Sequence, residues 1–217
     1  MRKKYKNLVF DLDGTISNPE QGIYGGIRYA LNKMGVDISP QEDLSDFIGP
    51  VLLHSFQSRY FSDPVEASEA VNHYRGYYTK TGLFENKVYE KISELLLELK
   101  EHYRLFVLTN KPKPFAVRIL DHFGLSANFI YIAGPDLGDR SASKSDLVPG
   151  MISLFPFLLP ETTLMIGDTP QDIQCSRTCG WDMAAVTWGF GKEEEFSLLE
   201  NDRIFHKVND LRAHLLP

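Results

Sequence analysis

The sequence predicts an α/β protein: a parallel sheet covered by helices on both faces, interrupted after its first strand by a helical insertion. Three observations predict it. From Tyr89 onward, short apolar runs alternate with helical stretches, the pattern of successive β–α units. Between about residues 16 and 84, strand signal almost vanishes and helical periodicity takes its place. Three apolar runs also stop abruptly at polar residues, two of them at acids. Continuous apolar runs read as buried parallel strands, and ligands of open α/β sheets sit beyond the carboxyl ends of such strands.

The elements follow in order. Residues 6–10 read as the first strand, ending at Asp11-Leu12-Asp13-Gly14-Thr15. Helices are expected over 22–34, 50–60 and 64–79, with Ile23, Ile27, Ala30, Leu31 and Met34 on one face of the first. Each has a proline near its start, where the missing N–H costs little. Ile92, Leu95, Leu96 and Leu99 form the apolar stripe of another helix. Strands are then expected over 104–108, 129–133, 164–166 and 183–186, with a short late one near 203–205. The chain is thus divided into a core, residues 1–15 and 85–217, and a helical cap, residues 16–84. The insertion falls between the first strand and the rest, which makes it a cap over the strand ends where the acids lie.

Composition excludes several functions. The chain has 217 residues, 43% of them hydrophobic, enough for a substantial core. Its formal net charge is −6 and its basic residues form no runs, which argues against a nucleic acid polymer as partner. The apolar stretch after Met1-Arg2-Lys3-Lys4-Tyr5-Lys6 is too short for a signal peptide. No run reaches the length of a membrane span. A cytoplasmic protein with no membrane partner, monomer or homodimer, is expected. Cys175 and Cys179 lie four apart with no Cys/His set to complete a metal site; they read as reduced packing residues.

The chemistry begins at Asp11 and Asp13. An Asp-Gly pair after a strand is by default a turn. A calcium loop starting at Asp11 fails, because its sixth position would be Ile16 and its twelfth Gly22. Phospho-receiver domains also place an acid at a strand end, but here the acids follow the first strand. Downstream partners decide between these readings. Thr109-Asn110-Lys111-Pro112 ends the strand at 104–108, Lys144 opens a helix, and Gly167-Asp168 with Asp172 ends the strand at 164–166. Singly these read as a turn or cap, a solvated lysine and first-turn helix charge. Together and in this order they form one constellation.

With these motifs the chain resembles the haloacid dehalogenase superfamily, specifically its aspartate-nucleophile phosphatases. Phe47-Ile48-Gly49-Pro50, residues 82–89 and Trp188-Gly189-Phe190-Gly191 are similar to the branch of phosphoglycolate phosphatases and bacterial 5′-nucleotidases. The resemblance implies a Rossmann-like three-layer core with an inserted helical cap. It implies a magnesium-dependent phosphohydrolase acting on a small phosphorylated metabolite through an aspartyl-phosphate. By this resemblance Asp11 is the nucleophile and Asp13 the acid/base. Thr109 binds a phosphoryl oxygen, and Lys144 neutralises developing charge. Asp11, Asp168 and the Asp13 carbonyl hold Mg²⁺, with Asp172 and Thr15 around them. Asn110, Gly49 and Arg140 are the candidate substrate contacts. Alternatives are a sugar-phosphate phosphatase, a phosphoglucomutase-like transferase and a catalytically silent binding protein. Gln174-Cys175-Ser176 replaces the small residues usual after the motif's second acid, which bears on packing.

Overall fold

A computed structural model describes residues 5–48, 51–137, 143–196 and 203–216. By internal contacts the chain divides into two compact units, residues 1–18 with 88–217, and residues 19–87. The chain passes between them near two two-residue strands, β2 (Ser17–Asn18) and β3 (Lys87–Val88).

The larger unit is built on six parallel strands: β1 (Asn7–Phe10), β4 (Arg104–Leu108), β5 (Tyr131–Ala133), β6 (Thr163–Gly167), β7 (Asp182–Val186) and β8 (Ile204–Phe205). Their order across the sheet is β5-β4-β1-β6-β7-β8. Numbered within this sheet alone, that is 3-2-1-4-5-6, the Rossmann order, with its reversal between β1 and β6. Every pairing is parallel, and Phe10 lies opposite Val107 on one side and Ile166 on the other. The residues following β1, β4 and β6 therefore emerge together at one edge.

Alternation explains why these strands read as unbroken apolar runs. Val9, Phe106, Leu108, Met165 and Met183 pack with Val148, Met151, Ile173 and Phe196 in one buried cluster. Leu8, Phe10, Leu105, Val107, Leu164 and Ile166 point to the opposite face and are buried as well. A sheet covered on both faces has no polar side. Helices α4 (Ile92–Leu99), α5 (Lys113–His122), α6 (Lys144–Leu154), α7 (Pro170–Cys179) and α8 (Val208–Leu215) complete the unit.

The smaller unit holds α1 (Glu20–Lys33), α2 (Leu52–Arg59) and α3 (Pro64–Tyr77). Half of its ten aromatics, Phe47, Phe56, Phe61, Tyr74 and Tyr78, are buried. Arg59 ties this unit's loop together through Glu42 at 2.5 Å and Asp46 at 2.6 Å. Among the described residues no helix is long and apolar enough to cross a membrane.

Candidate active site

The site grows out of the edge at the strand-order reversal. Asp11 continues β1 by one residue: its N–H donates to the Ile166 carbonyl at 2.9 Å. The chain then turns sharply, with the Ile16 and Ser17 N–H groups both donating to the Leu12 carbonyl. Gly14 makes this turn possible. Its φ is +85°, and a Cβ there would lie 2.0 Å from Asp168 Oδ2. No residue with a side chain fits both demands.

Asp168 follows β6 and is fully buried. Its Oδ1 accepts from the Thr15 hydroxyl at 2.9 Å and its Oδ2 from the Phe190 N–H at 2.8 Å. Asp172 sits in the first turn of α7, where it forms a capping box: its Oδ2 accepts from the Thr169 N–H and hydroxyl. That leaves Oδ1 for Lys144, whose Nζ lies 2.5 Å away and also 2.7 Å from Asp11 Oδ2. Lys144 is the first residue of α6, is buried, and donates its backbone N–H to Asn110 Oδ1 at 3.0 Å. Thr109 is buried at the end of β4. Trp188 donates its indole N–H to the Thr15 carbonyl, bracing the turn from the other side.

Charge balance defines what this site can hold. Asp11, Asp168 and Asp172 each bring a carboxylate oxygen within 4.8 Å of the others. Burial raises Asp11 well above the ordinary carboxylate range; Lys144 opposes this, while Asp172 and Asp168 add to it. Burial, and then Asp172, push Asp168 up to about 6 against the Phe190 and Thr15 hydrogen bonds. Burial would lower the Lys144 ammonium, but Asp11 and Asp172 outweigh it and hold Lys144 above its ordinary value. One lysine against three buried acids leaves excess negative charge. An all-oxygen donor set with that excess suits a hard divalent cation, so the cluster is one that can hold a metal.

The structure brings together Asp11, Lys144 and Asp172 by direct ion pairs and Thr15 with Asp168 by a hydrogen bond, the three acids lying within 4.8 Å of one another, with Asn110 holding the backbone of Lys144. Asp13 stands apart: its Oδ2 pairs with Lys111 at 2.8 Å. Gly49 and Arg140 lie outside the described residues. Sequence reasoning assigned no role to Lys111 or to the Phe190 N–H; only their places within motif segments pointed to them.

The chain belongs to the haloacid dehalogenase-like hydrolase family, whose family model matches residues 8–186. Within that family it is an enzyme of the phosphatase kind. It is 39% identical over 211 residues to a Pseudomonas aeruginosa protein named 5′-nucleotidase, covering 97% of this chain and 94% of that one. It is 33% identical to the Mycobacterium tuberculosis tyrosine-protein kinase PtkA, covering 96% of this chain and 72% of that protein. A haloacid dehalogenase-like hydrolase of Streptococcus pneumoniae superposes with a TM-score of 0.88 at 30% identity, over 98% of this chain and 99% of that one.

Proposed function

We propose that the protein is a magnesium-dependent phosphohydrolase that cleaves a small phosphate monoester through an aspartyl-phosphate on Asp11. The observation that carries this reading is the buried bridge in which Lys144 joins Asp11 to Asp172 beside Asp168. Asp11 attacks phosphorus, and the ester P–O bond breaks as Asp13 gives its proton to the leaving oxygen. Asp13, now a carboxylate, takes a proton from the water that attacks the phosphorylated Asp11. Phosphate leaves and Asp11 is restored. Lys144 offsets charge gathering on the phosphoryl oxygens while keeping the Asp11 carboxylate oriented. The Thr109 hydroxyl binds one phosphoryl oxygen.

Magnesium held by Asp11, Asp168 and the Asp13 carbonyl, with Asp172 adjoining, supplies positive charge that offsets repulsion between carboxylate and phosphate. Thr15 acts indirectly by holding Asp168 at 2.9 Å. Selectivity for the leaving group is assigned to residues other than these core groups, Gly49 and Arg140 among them, because the core groups address only the phosphate.

A nucleoside 5′-monophosphate is the favoured substrate, since the relative named 5′-nucleotidase aligns with 97% of this chain. The test is phosphate release from a panel of phosphorylated metabolites, with nucleoside monophosphates, phosphoglycolate and sugar phosphates as separate arms. Magnesium-dependent release from a nucleoside monophosphate supports the full reading. Preference for another arm moves the substrate and keeps the chemistry. No release from any arm, or release undiminished by a chelator, overturns the function.

A further inference from the structure

The larger unit holds a cavity of about 270 Å³ that none of the acids of the active site lines. Tyr89, Trp188 and Val208 give it apolar walls, and Lys91, Lys207 and His206 bring basic groups to it. Glu90 is the one acid among its lining residues. Trp188 is fixed in place, because its indole N–H donates to the Thr15 carbonyl at 3.1 Å. His206 shares its Nδ1 with the Thr187 hydroxyl at 3.0 Å, which leaves Nε2 to meet a ligand.

Neither lysine serves the helix it precedes. Lys91 occupies the cap position of α4 and Lys207 that of α8, and neither side chain caps its helix. A cation at that end opposes the helix dipole. Lys91 also has a φ of +67°, the one positive φ at a residue other than glycine among the described residues. Glycine takes that conformation without steric cost, whereas a residue with a long side chain rarely adopts it. The fold would be served better by glycine at this position, so the lysine side chain calls for another reason.

We propose that this cavity is a second ligand site, which takes a small aromatic anion: a planar ring bearing one carboxylate or similar acid group. The ring packs against Tyr89 and Trp188, and the acid group meets Lys91 and Lys207. Two lysines against Glu90 leave a net positive charge, which a single anionic group neutralises. A simple inorganic anion would leave the aromatic walls wet, and a neutral ring would leave the lysines unanswered. The size suits a small molecule, lying just below the roughly 300–1,000 Å³ of most ligand pockets.

The test follows the indole N–H signals of isotope-labelled protein by NMR while benzoate is added in chelator, where the acid cluster repels anions. The chain has two tryptophans. Trp188→Phe assigns their signals, and Trp181, buried in the core cluster, is the internal control. Benzyl alcohol and acetate are the matched neutral and non-aromatic arms. Benzoate should shift the Trp188 signal saturably, with a Kd on the order of 1 mM for so small a ligand, and should leave Trp181 in place. Benzyl alcohol and acetate should each bind at least about tenfold more weakly.

Lys207→Gln should weaken benzoate binding roughly fivefold, and adding Lys91→Gly should bring the loss to on the order of 20-fold. Lys91→Gly alone should weaken binding while leaving the urea midpoint unchanged or higher, because glycine relieves the left-handed backbone. A lysine kept for the fold would show the opposite, a lower midpoint with binding intact. Lys207→Gln, a change at an exposed side chain, decides the matter if the glycine variant folds poorly. The inference is overturned if Trp188 shows no saturable shift, or if both tryptophans shift alike. Benzyl alcohol or acetate binding as tightly as benzoate, or full affinity in Lys207→Gln, overturns it as well. None of these readings needs turnover, so the outcome stands apart from the phosphatase reading.

Discussion

Replacing Asp168 with asparagine should remove the pH dependence that this residue imposes on the metal-free protein. Asp168 is fully buried. Its folded carboxyl is pushed up to about 6 by burial and by Asp172, whereas the ordinary value is 3.8. Below 3.8 the group is protonated in both states and has no effect. Between 3.8 and about 6 the unfolded chain releases its proton while the folded protein keeps it. Stability therefore falls as pH rises through that window, and above it the loss is complete. Two pKa units correspond to on the order of 3 kcal/mol. Asp11, raised by burial first, acts in the same direction. Lys144 does not enter, because its ammonium is held above its ordinary value and titrates only in alkali. Asparagine fits the same bonds: its oxygen takes the Phe190 N–H, and its amide donates to the Thr15 hydroxyl, which accepts as well as donates. The assay is thermal or urea unfolding in chelator at pH 4.5 and 7.5. Relative to wild type, Asp168→Asn should gain on the order of 2–3 kcal/mol between the two pH values. That corresponds to a swing of roughly 5–10 °C in Tm. Magnesium should raise wild-type stability at pH 7.5 far more than at pH 4.5, and should raise the variant little. Parallel wild-type and variant curves across the window would refute the reasoning.

Other consequences are open to simpler measurements. Chelation should abolish phosphate release and magnesium should restore it; calcium should restore little, because it favours larger and looser coordination, and equal rescue by calcium would count against the site as described. Gly14→Ala forces a side chain into a left-handed turn, at about 1–2 kcal/mol, and into Asp168 Oδ2 at 2.0 Å. A displacement of the acids on that scale should lower kcat on the order of 10²-fold, so near-normal kcat in a folded variant would contradict the turn's role. Asn110→Ala removes the acceptor for the Lys144 N–H; loss of such a bond costs about 0.5–1.5 kcal/mol, to be read by urea unfolding, with kcat falling more than KM rises.

Much of this arrangement was legible in the sequence, for a physical reason. Strands buried on both faces are unbroken apolar runs, so the places where β1, β4 and β6 stop at Asp11, Thr109 and Asp168 stand out. Lys144 was harder: a lysine opening a helix reads as solvated surface, and only its place in the order of motifs marked it. Its burial between two carboxylates is a tertiary fact. The Lys111–Asp13 pair was not legible, because a side chain's direction after a strand depends on how the loop is pinned. Nor was the Phe190 N–H on Asp168, which joins segments 22 residues apart. Element ends moved for local reasons. Helix α1 begins at Glu20, not at Gly22, and tolerates Gly22 because a Cβ there would lie 1.9 Å from the Gly82 carbonyl oxygen. Strand β5 begins at Tyr131, since the Phe129 N–H is already committed to the Ser126 carbonyl in a helical turn.

The central claim is that Asp11 carries the phosphoryl group. Enzyme mixed with excess substrate and magnesium, quenched in acid during turnover and digested, should yield a phosphorylated peptide containing Asp11. The modification should be lost on treatment with hydroxylamine, as an acyl phosphate is, and should be absent from Asp11→Asn, which should also be inactive at any magnesium concentration. Phosphate release in full without a phosphorylated Asp11 peptide, together with an Asp11→Asn enzyme revived by excess magnesium, would show that Asp11 only binds metal and would contradict the account.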